Sequence, residues 1–247
     1  MGCASSTQKF GDTAKHHQPN TSAKQKFFIV IAHPEPQSMC QSIGNTAIEA
    51  LLAAGHEVKV SRLYEEHFDA LSTRKNFKEV KDSAHFKPPV EEAHATETKT
   101  FADDVEAELQ KLEWCDVLIF QFPLYWFALP AVLKGWVDRI FASTRVYSHA
   151  QCFDTGVFKG KRAMLSFATG GPAFMYTPDG VNGDINSILR PIHRGIFQFV
   201  GFSVLSPNIL YGAAHVSNDD RHQFLSEWAN RVVTLHEEDV IEVGRYA

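Results

Sequence analysis

Leu124, Tyr125, Trp126 and Phe127 stand where an apolar strand ending Val117-Leu118-Ile119-Phe120 gives way to a helix opened by Pro130. Three consecutive aromatics cannot all point inward, so at least one faces a cleft. In open α/β sheets flat ligands bind in that crevice, beneath the peptide N–H groups of a helix start. A second loop, His33-Pro34-Glu35-Pro36-Gln37-Ser38, also runs from a strand into a helix, and its N–H groups with the Ser38 hydroxyl suit a phosphate. A third, Thr169-Gly170-Gly171, removes side chains where a backbone must approach a planar ring closely. Downstream, Tyr176 offers a hydroxyl to a ring that gains negative charge when hydride arrives, and a donor already aimed at that charge lowers the barrier. Asn182 adds a second hydrogen bond but cannot deliver a proton.

These loops need a scaffold that brings them to one edge, and the apolar pattern supplies it. Lys26 to Ala32 is a near-continuous apolar run, as in a central parallel strand covered on both faces. Ile43, Ala47, Ile48, Leu51 and Leu52 then mark an amphipathic helix with Gly55 just past its end. His56 to Leu63 is the second strand. Residues 64 to about 100 have no sustained period, and are expected to be an irregular insertion. Helix resumes over Phe101 to Leu112, followed by the strand Asp116 to Gln121. From Pro130, Val132, Leu133, Trp136, Val137, Ile140 and Phe141 recur at helical spacing.

The strand Lys161 to Ala168 follows. Next comes a helical stretch from Asp184 to Val200, expected to be interrupted at Pro191. Phe202 to Leu205 and Ile209 to Tyr211 form the last strand region, and Ser217 with Asp220 predicts a capping box for a final helix. Five strands alternating with helices make a doubly wound parallel sheet. The first loop has neither G-x-G-x-x-G nor G-x-x-x-x-G-K-[ST], which disfavours a dinucleotide Rossmann site and a P-loop. The order left is flavodoxin-like, 2-1-3-4-5, with helices on both faces and a flavin at the switch point between the first and third strands.

At 247 residues and 44% hydrophobic, the chain suits one α/β domain over residues 26–247. A formal charge of −5 without a long basic run argues against nucleic-acid binding. Cys3, Cys40, Cys115 and Cys152 are scattered, without CxxC or metal-ligand spacing, so free thiols in a reducing, cytoplasmic compartment and no metal site are expected. Residues 1–25 are polar and aperiodic and read as a disordered arm. They begin Met1-Gly2-Cys3-Ala4-Ser5-Ser6, which fits the N-myristoylation pattern on Gly2, with Cys3 a natural second acylation site. Two acyl chains would hold the protein on the cytosolic face of a membrane.

Taken together, Ala32-His33, Phe120 to Phe141, Thr169-Gly170-Gly171 with Met175-Tyr176, Gly183-Asp184, Gly201-Phe202 and Arg221 resemble the NAD(P)H:quinone oxidoreductases, the DT-diaphorase family. The resemblance runs from Lys26 to about Trp228, and the block Phe120 to Phe141 is its most specific part. It implies a homodimeric, FAD-containing reductase that takes hydride from NAD(P)H and passes it to a quinone in a ping-pong cycle. By that resemblance His33, Ser38, Met39 and Cys40 contact the FAD phosphate and ribose. Leu124, Tyr125, Trp126, Phe127, Thr169, Gly170 and Gly171 hold the isoalloxazine with Tyr176, and Arg221 the adenosine half. Trp126, Phe127, Tyr147, His149, Met175 and Phe199 line the substrate face, partly across the dimer, and Tyr176 with Asn182 is catalytic.

The chain departs from the family at several positions. Met39-Cys40 replaces a phosphate-side Phe-Asn, and Asn182 replaces a histidine of DT-diaphorase. The Gly-Val-Asn-Gly-Asp run is similar to the dihydronicotinamide riboside:quinone reductase type, whose metal site is not reproduced because Arg194 and Gln198 stand in place of its histidines. FMN is the second choice of cofactor. An azo- or nitro-reductase uses the same pocket chemistry. A membrane-anchored, non-catalytic subunit that senses redox state through its flavin is the alternative outside enzymology.

Overall fold

A computed structural model describes residues 24–245. The chain runs β1 (Lys26–Ile31), α1 (Met39–Ala53), β2 (Glu57–Arg62), α2 (Pro88–Thr98), α3 (Asp103–Trp114), β3 (Val117–Pro123), α4 (Ala131–Ile140), β4 (Arg162–Ala168), α5 (Ile185–Ile192), β5 (Ser203–Val204), β6 (Asn208–Leu210) and α6 (Asn218–Val232). The parallel sheet has the order β2-β1-β3-β4-β5, as expected, with β6 pairing further along β4. The last strand region is therefore two short pieces on one edge, separated by Leu205-Ser206-Pro207. All carboxyl ends point the same way, so the loops after β1, β3, β4 and β6 gather at one edge.

Alternation along the buried strands divides the core in two. Phe28, Val30, Leu118, Phe120 and Leu165 pack with Leu109, Leu112, Leu133 and Trp136 of α3 and α4. Phe27, Ile29, Ile31 and Ile119 pack with Ile43, Ala47, Leu51, Trp228 and Val232 of α1 and α6. Each face also carries a buried polar tie. Trp228 Nε1–H donates to the Ile43 carbonyl at 3.1 Å, joining α6 to α1. On the other face the Glu108 carboxylate accepts from Trp136 Nε1–H at 2.7 Å, from Ser61 and from Lys111. Burying a charge there is tolerable because it is fully hydrogen-bonded.

Three local expectations are corrected. The insertion 64–100 contains α2, opened by Pro88-Pro89 in its first turn. Its buried side is Glu91, Glu92 and Ala95, so it shows no apolar period. The Glu91 carboxylate accepts the Lys81 and Asp82 N–H groups at 2.5 and 3.0 Å, closing the preceding loop. Pro191 does not interrupt its helix; α5 passes through it and widens into a π-turn over His193–Gln198, a common way to absorb a missing N–H. The Ser217 cap is half a box: Ser217 Oγ accepts from the Asp220 N–H, but its own hydroxyl donates to the Asp220 carboxylate at 2.6 Å.

Cys40, Cys115 and Cys152 are free thiols. Gly2 and Cys3 lie outside the described residues, as does all of the expected arm except Lys24 and Gln25. Lys24 pairs with Glu57, and the Gln25 N–H donates to His56. Among the described residues no helix is long and apolar enough to cross a membrane.

Candidate active site

The carboxyl ends of β1, β3 and β4 open onto a cleft of about 470 Å³. His33, Ser38, Met39 and Cys40 line one side, Leu124, Tyr125 and Trp126 another, and Thr169 with Gly170 the third. Nine residues drawn from three loops thus share one cleft. Pro123, Ala168 and, from the loop after β6, Ala213 and Ala214 complete it. The sequence reading missed these four; the signal for the last two was their position just past the last apolar strand, with side chains small enough to leave room.

The first wall is preorganised by α1. Ser38 is its N-cap and accepts the Gln41 N–H at 3.2 Å, leaving further free N–H groups at the helix start. His33 Nδ1 accepts the Glu35 N–H at 3.0 Å, which places the proton of the neutral ring on Nε2. Burial pulls the His33 pKa down, with Glu35 opposing, so the ring is a neutral donor. Cys40 is buried, its sulfur receives the Gln121 amide at 3.3 Å, and burial pushes its pKa to about 12. It is a wall group without thiolate chemistry.

The second wall carries backbone strain. Trp126 and Phe127 have φ of 51° and 59°, and the Ala128 N–H returns to the Tyr125 carbonyl at 3.0 Å. Two consecutive positive φ values make a type I′ turn, ordinarily an Asn-Gly geometry. Aromatic residues hold it here, and they remain exposed: Trp126 at 95%, Phe127 at 48% and Tyr125 at 44%. The turn is fixed at its base by Leu124 N–H donating to Ala168 O at 2.9 Å.

The third wall joins the catalytic candidates. Thr169 Oγ1 donates to the Gly171 carbonyl at 2.7 Å. A Cβ at Gly170 would meet open space, whereas one at Gly171 would press on Met175 and Tyr176. Gly170 therefore keeps the cleft clear, and Gly171 makes room for Tyr176. The Tyr176 ring lies 6.5 Å from Phe127 and 5.6 Å from Tyr211. Asn182 belongs to the same loop, its N–H donating to the Met175 carbonyl at 2.9 Å.

Arg221 borders an adjoining cavity of about 390 Å³ with Gln37, Ser42 and Asn218; Met39 lines both spaces. One Arg221 terminal nitrogen donates to Ala213 O at 3.3 Å, but its Nε–H is buried without a partner. An orphaned donor beside a two-part cavity fits a long anionic ligand that spans both parts. Tyr147 and Phe199 are not brought into the cleft. Their rings meet at 5.4 Å and line a separate cavity with Glu92, while His149 is exposed in the following turn. Among the described residues no group of three or more His, Cys, Asp or Glu could hold a metal ion. Arg194 and Gln198 bond to one another at 3.1 Å.

Residues 25–232 match the model of a flavodoxin-like fold family. The chain is 43% identical over 217 residues to the NAD(P)H dehydrogenase [quinone] 1 of Rattus norvegicus, spanning 87% of this chain and 79% of that protein. It is 39% identical over 220 residues to the ribosyldihydronicotinamide dehydrogenase [quinone] of Mus musculus, spanning 89% and 95%. A crystal structure from Klebsiella pneumoniae, assigned as a quinone reductase, superposes with a TM-score of 0.84 at 36% identity over 88% of this chain and 87% of that one. With this likeness running through the strands and loops that form the cleft, the chain belongs to the NAD(P)H dehydrogenase (quinone) family of the flavodoxin-like fold.

Proposed function

We propose that this chain is an oxidoreductase that passes two electrons from NADH or NADPH to a quinone, using FAD seated in the cleft. Bound there, FAD supplies a carrier that takes hydride from one substrate and gives it to the next. The observation that carries the reading is one edge bearing a helix-start anion site, a strained aromatic turn and a tyrosine-backed glycine wall.

Each wall has its task. Ser38 and the first N–H groups of α1 hold phosphate, and His33 donates from Nε2. Leu124 to Phe127 supply apolar surface for a planar ring, with the Trp126 and Phe127 peptide N–H groups as its donors, opposite Thr169 and Gly170. The Tyr176 hydroxyl donates to negative charge that develops on that ring, and Asn182 contributes a hydrogen bond without a transferable proton. The orphaned Arg221 Nε–H supports FAD over FMN, because it gives the adenosine half a donor beyond the cleft. The separate Tyr147–Phe199 cavity supports a homodimer, in which Tyr147, His149 and Phe199 of one protomer reach the substrate face of the other.

The deciding experiment is the absorbance spectrum and mass of the small molecule that purifies with the protein, followed by turnover with NAD(P)H and a soluble quinone. FAD with turnover supports the proposal. FMN shifts it toward other flavodoxin-like reductases, and a colourless protein overturns it. Bound flavin with negligible turnover favours the redox-sensing subunit instead.

A further inference from the structure

We propose that a second cavity, at the opposite edge of the sheet from the cleft, binds a small aromatic carboxylate. This cavity of about 410 Å³ lies by Lys159-Gly160, just before β4, and by the β5 residues Ser203 and Val204. Those are the amino ends of parallel strands whose carboxyl ends bear the cleft. Its size suits a small organic molecule.

The cavity is built by contacts rather than left by a loose loop. A Cβ on Gly156 would lie 2.5 Å from the Gly201 backbone, so only glycine permits the approach that clamps the loop after Cys152 onto residues 200–202. The Phe153 and Phe158 N–H groups donate to the Phe199 and Val200 carbonyls at 2.8 and 2.9 Å, tightening the same clamp. Phe153 holds a left-handed φ of 51°, a strained conformation for an aromatic residue. The other wall is the C-terminal segment, where the Ile241 N–H donates to Val204 O at 2.8 Å and Val240 bridges to Leu205.

The lining separates into a charged end and an apolar body. The Arg194 guanidinium lies 4.2 Å from the Phe153 ring centroid and donates once, to Gln198 at 3.1 Å. No carboxylate among the described residues pairs with it or with Lys159 at the rim, although Asp154 lines the same cavity. Two cations against one carboxylate leave a single positive charge, which selects a monoanion. A planar guanidinium matches a carboxylate in bidentate fashion. The exposed Val240 and half-buried Ile241 provide the apolar surface for a ring, over a floor of buried Phe202 and Val204.

The test is a fluorine NMR titration of the flavin-loaded protein with para-trifluoromethylbenzoate, against para-trifluoromethylbenzamide as the neutral control. The benzoate is expected to bind roughly tenfold more tightly than the benzamide, and Arg194→Ala to weaken it roughly tenfold. Lys159→Gln, at an exposed position that cannot disturb the fold, is expected to weaken it about threefold. Trp126→Gly, in the other cleft, is expected to leave the affinity unchanged. Equal binding of acid and amide, or indifference to both Arg194→Ala and Lys159→Gln, would overturn the site. Loss of binding in Trp126→Gly would also overturn it, by locating the probe at the carboxyl edge.

Discussion

Tyr176 packs against Gly171, where even a methyl group would crowd it and Met175. A Cβ on Gly171 would sit 3.3 Å from Tyr176 Cε2 and 3.5 Å from its hydroxyl oxygen, and 3.0 Å from Met175 Sδ. The ring is 8% exposed and packs with Phe127 and Tyr211, behind the residues that line the cleft. A donor held in this way needs no reorganisation when charge develops in front of it.

Tyr176→Phe is therefore expected to slow flavin reduction by roughly tenfold to a hundredfold, the scale of one hydrogen bond to developing charge. Stopped-flow absorbance reads this step directly. Gly171→Ala, which displaces the ring by a few tenths of an ångström while keeping the hydroxyl, should lose part of that rate. Reduction of the Tyr176→Phe protein at the wild-type rate would remove Tyr176 from the mechanism.

The aromatic turn predicts a conflict between stability and activity. Trp126 has φ of 51° yet buries almost none of its surface, so strain is present without packing to offset it. Glycine adopts that geometry freely, and Trp126→Gly is expected to stabilise the fold by about 1 kcal/mol, partly offset by the looser unfolded chain. Quinone turnover should fall several-fold because one wall of the cleft is lost. Urea midpoints and steady-state rates on the same preparation check both halves; a destabilised variant would mean that the indole is held by contacts of its own.

Much of this was legible in the sequence because the relevant signals are local. A run such as Phe27-Phe28-Ile29-Val30-Ile31 is buried on both sides in any doubly wound sheet, and the loops that follow such runs reach one edge. That reasoning, together with the family resemblance, names nine of the residues that line the cleft. It failed where side chains broke their usual habits. Helix α2 buries Glu91 and Glu92 in place of apolar residues, and no hydrophobic period can reveal that. The type I′ turn at Trp126-Phe127 carries neither glycine nor asparagine, so its backbone had no composition signal. Tyr147 and Phe199, 52 residues apart in sequence, meet only through the tertiary fold.

Gly2 and Cys3 fall outside the described residues, and their sequence context alone carries the acylation pattern. Myristoylation requires Gly2, and a single chain anchors only marginally, whereas a second on Cys3 makes anchoring stable. Expressed in a cell that carries out both modifications, Gly2→Ala is expected to move the protein to the soluble fraction. Cys3→Ser should give divided recovery, with the membrane-bound part lost on dilution and washing. Unchanged membrane recovery of Gly2→Ala would refute the anchor.

Glu92 gives the pH dependence its clearest handle. Its carboxylate accepts the Ser143 N–H at 2.7 Å beneath the turn that carries Tyr147. Burial pushes its pKa above the ordinary value of 4.5, with the Ser143 bond opposing. A carboxyl that binds its proton more tightly folded than unfolded adds most to stability below pH 4.5, and its contribution falls as pH rises through the folded pKa. Glu92→Gln keeps the acceptor for Ser143 and removes the charge. The substitution is thus expected to gain stability relative to wild type at about pH 8 and to lose that advantage at about pH 4. Urea unfolding of both proteins at the two pH values measures the difference. A gap independent of pH would mean that Glu92 ionises as freely in the fold as in the unfolded chain, and that Ser143 N–H compensates its burial in full.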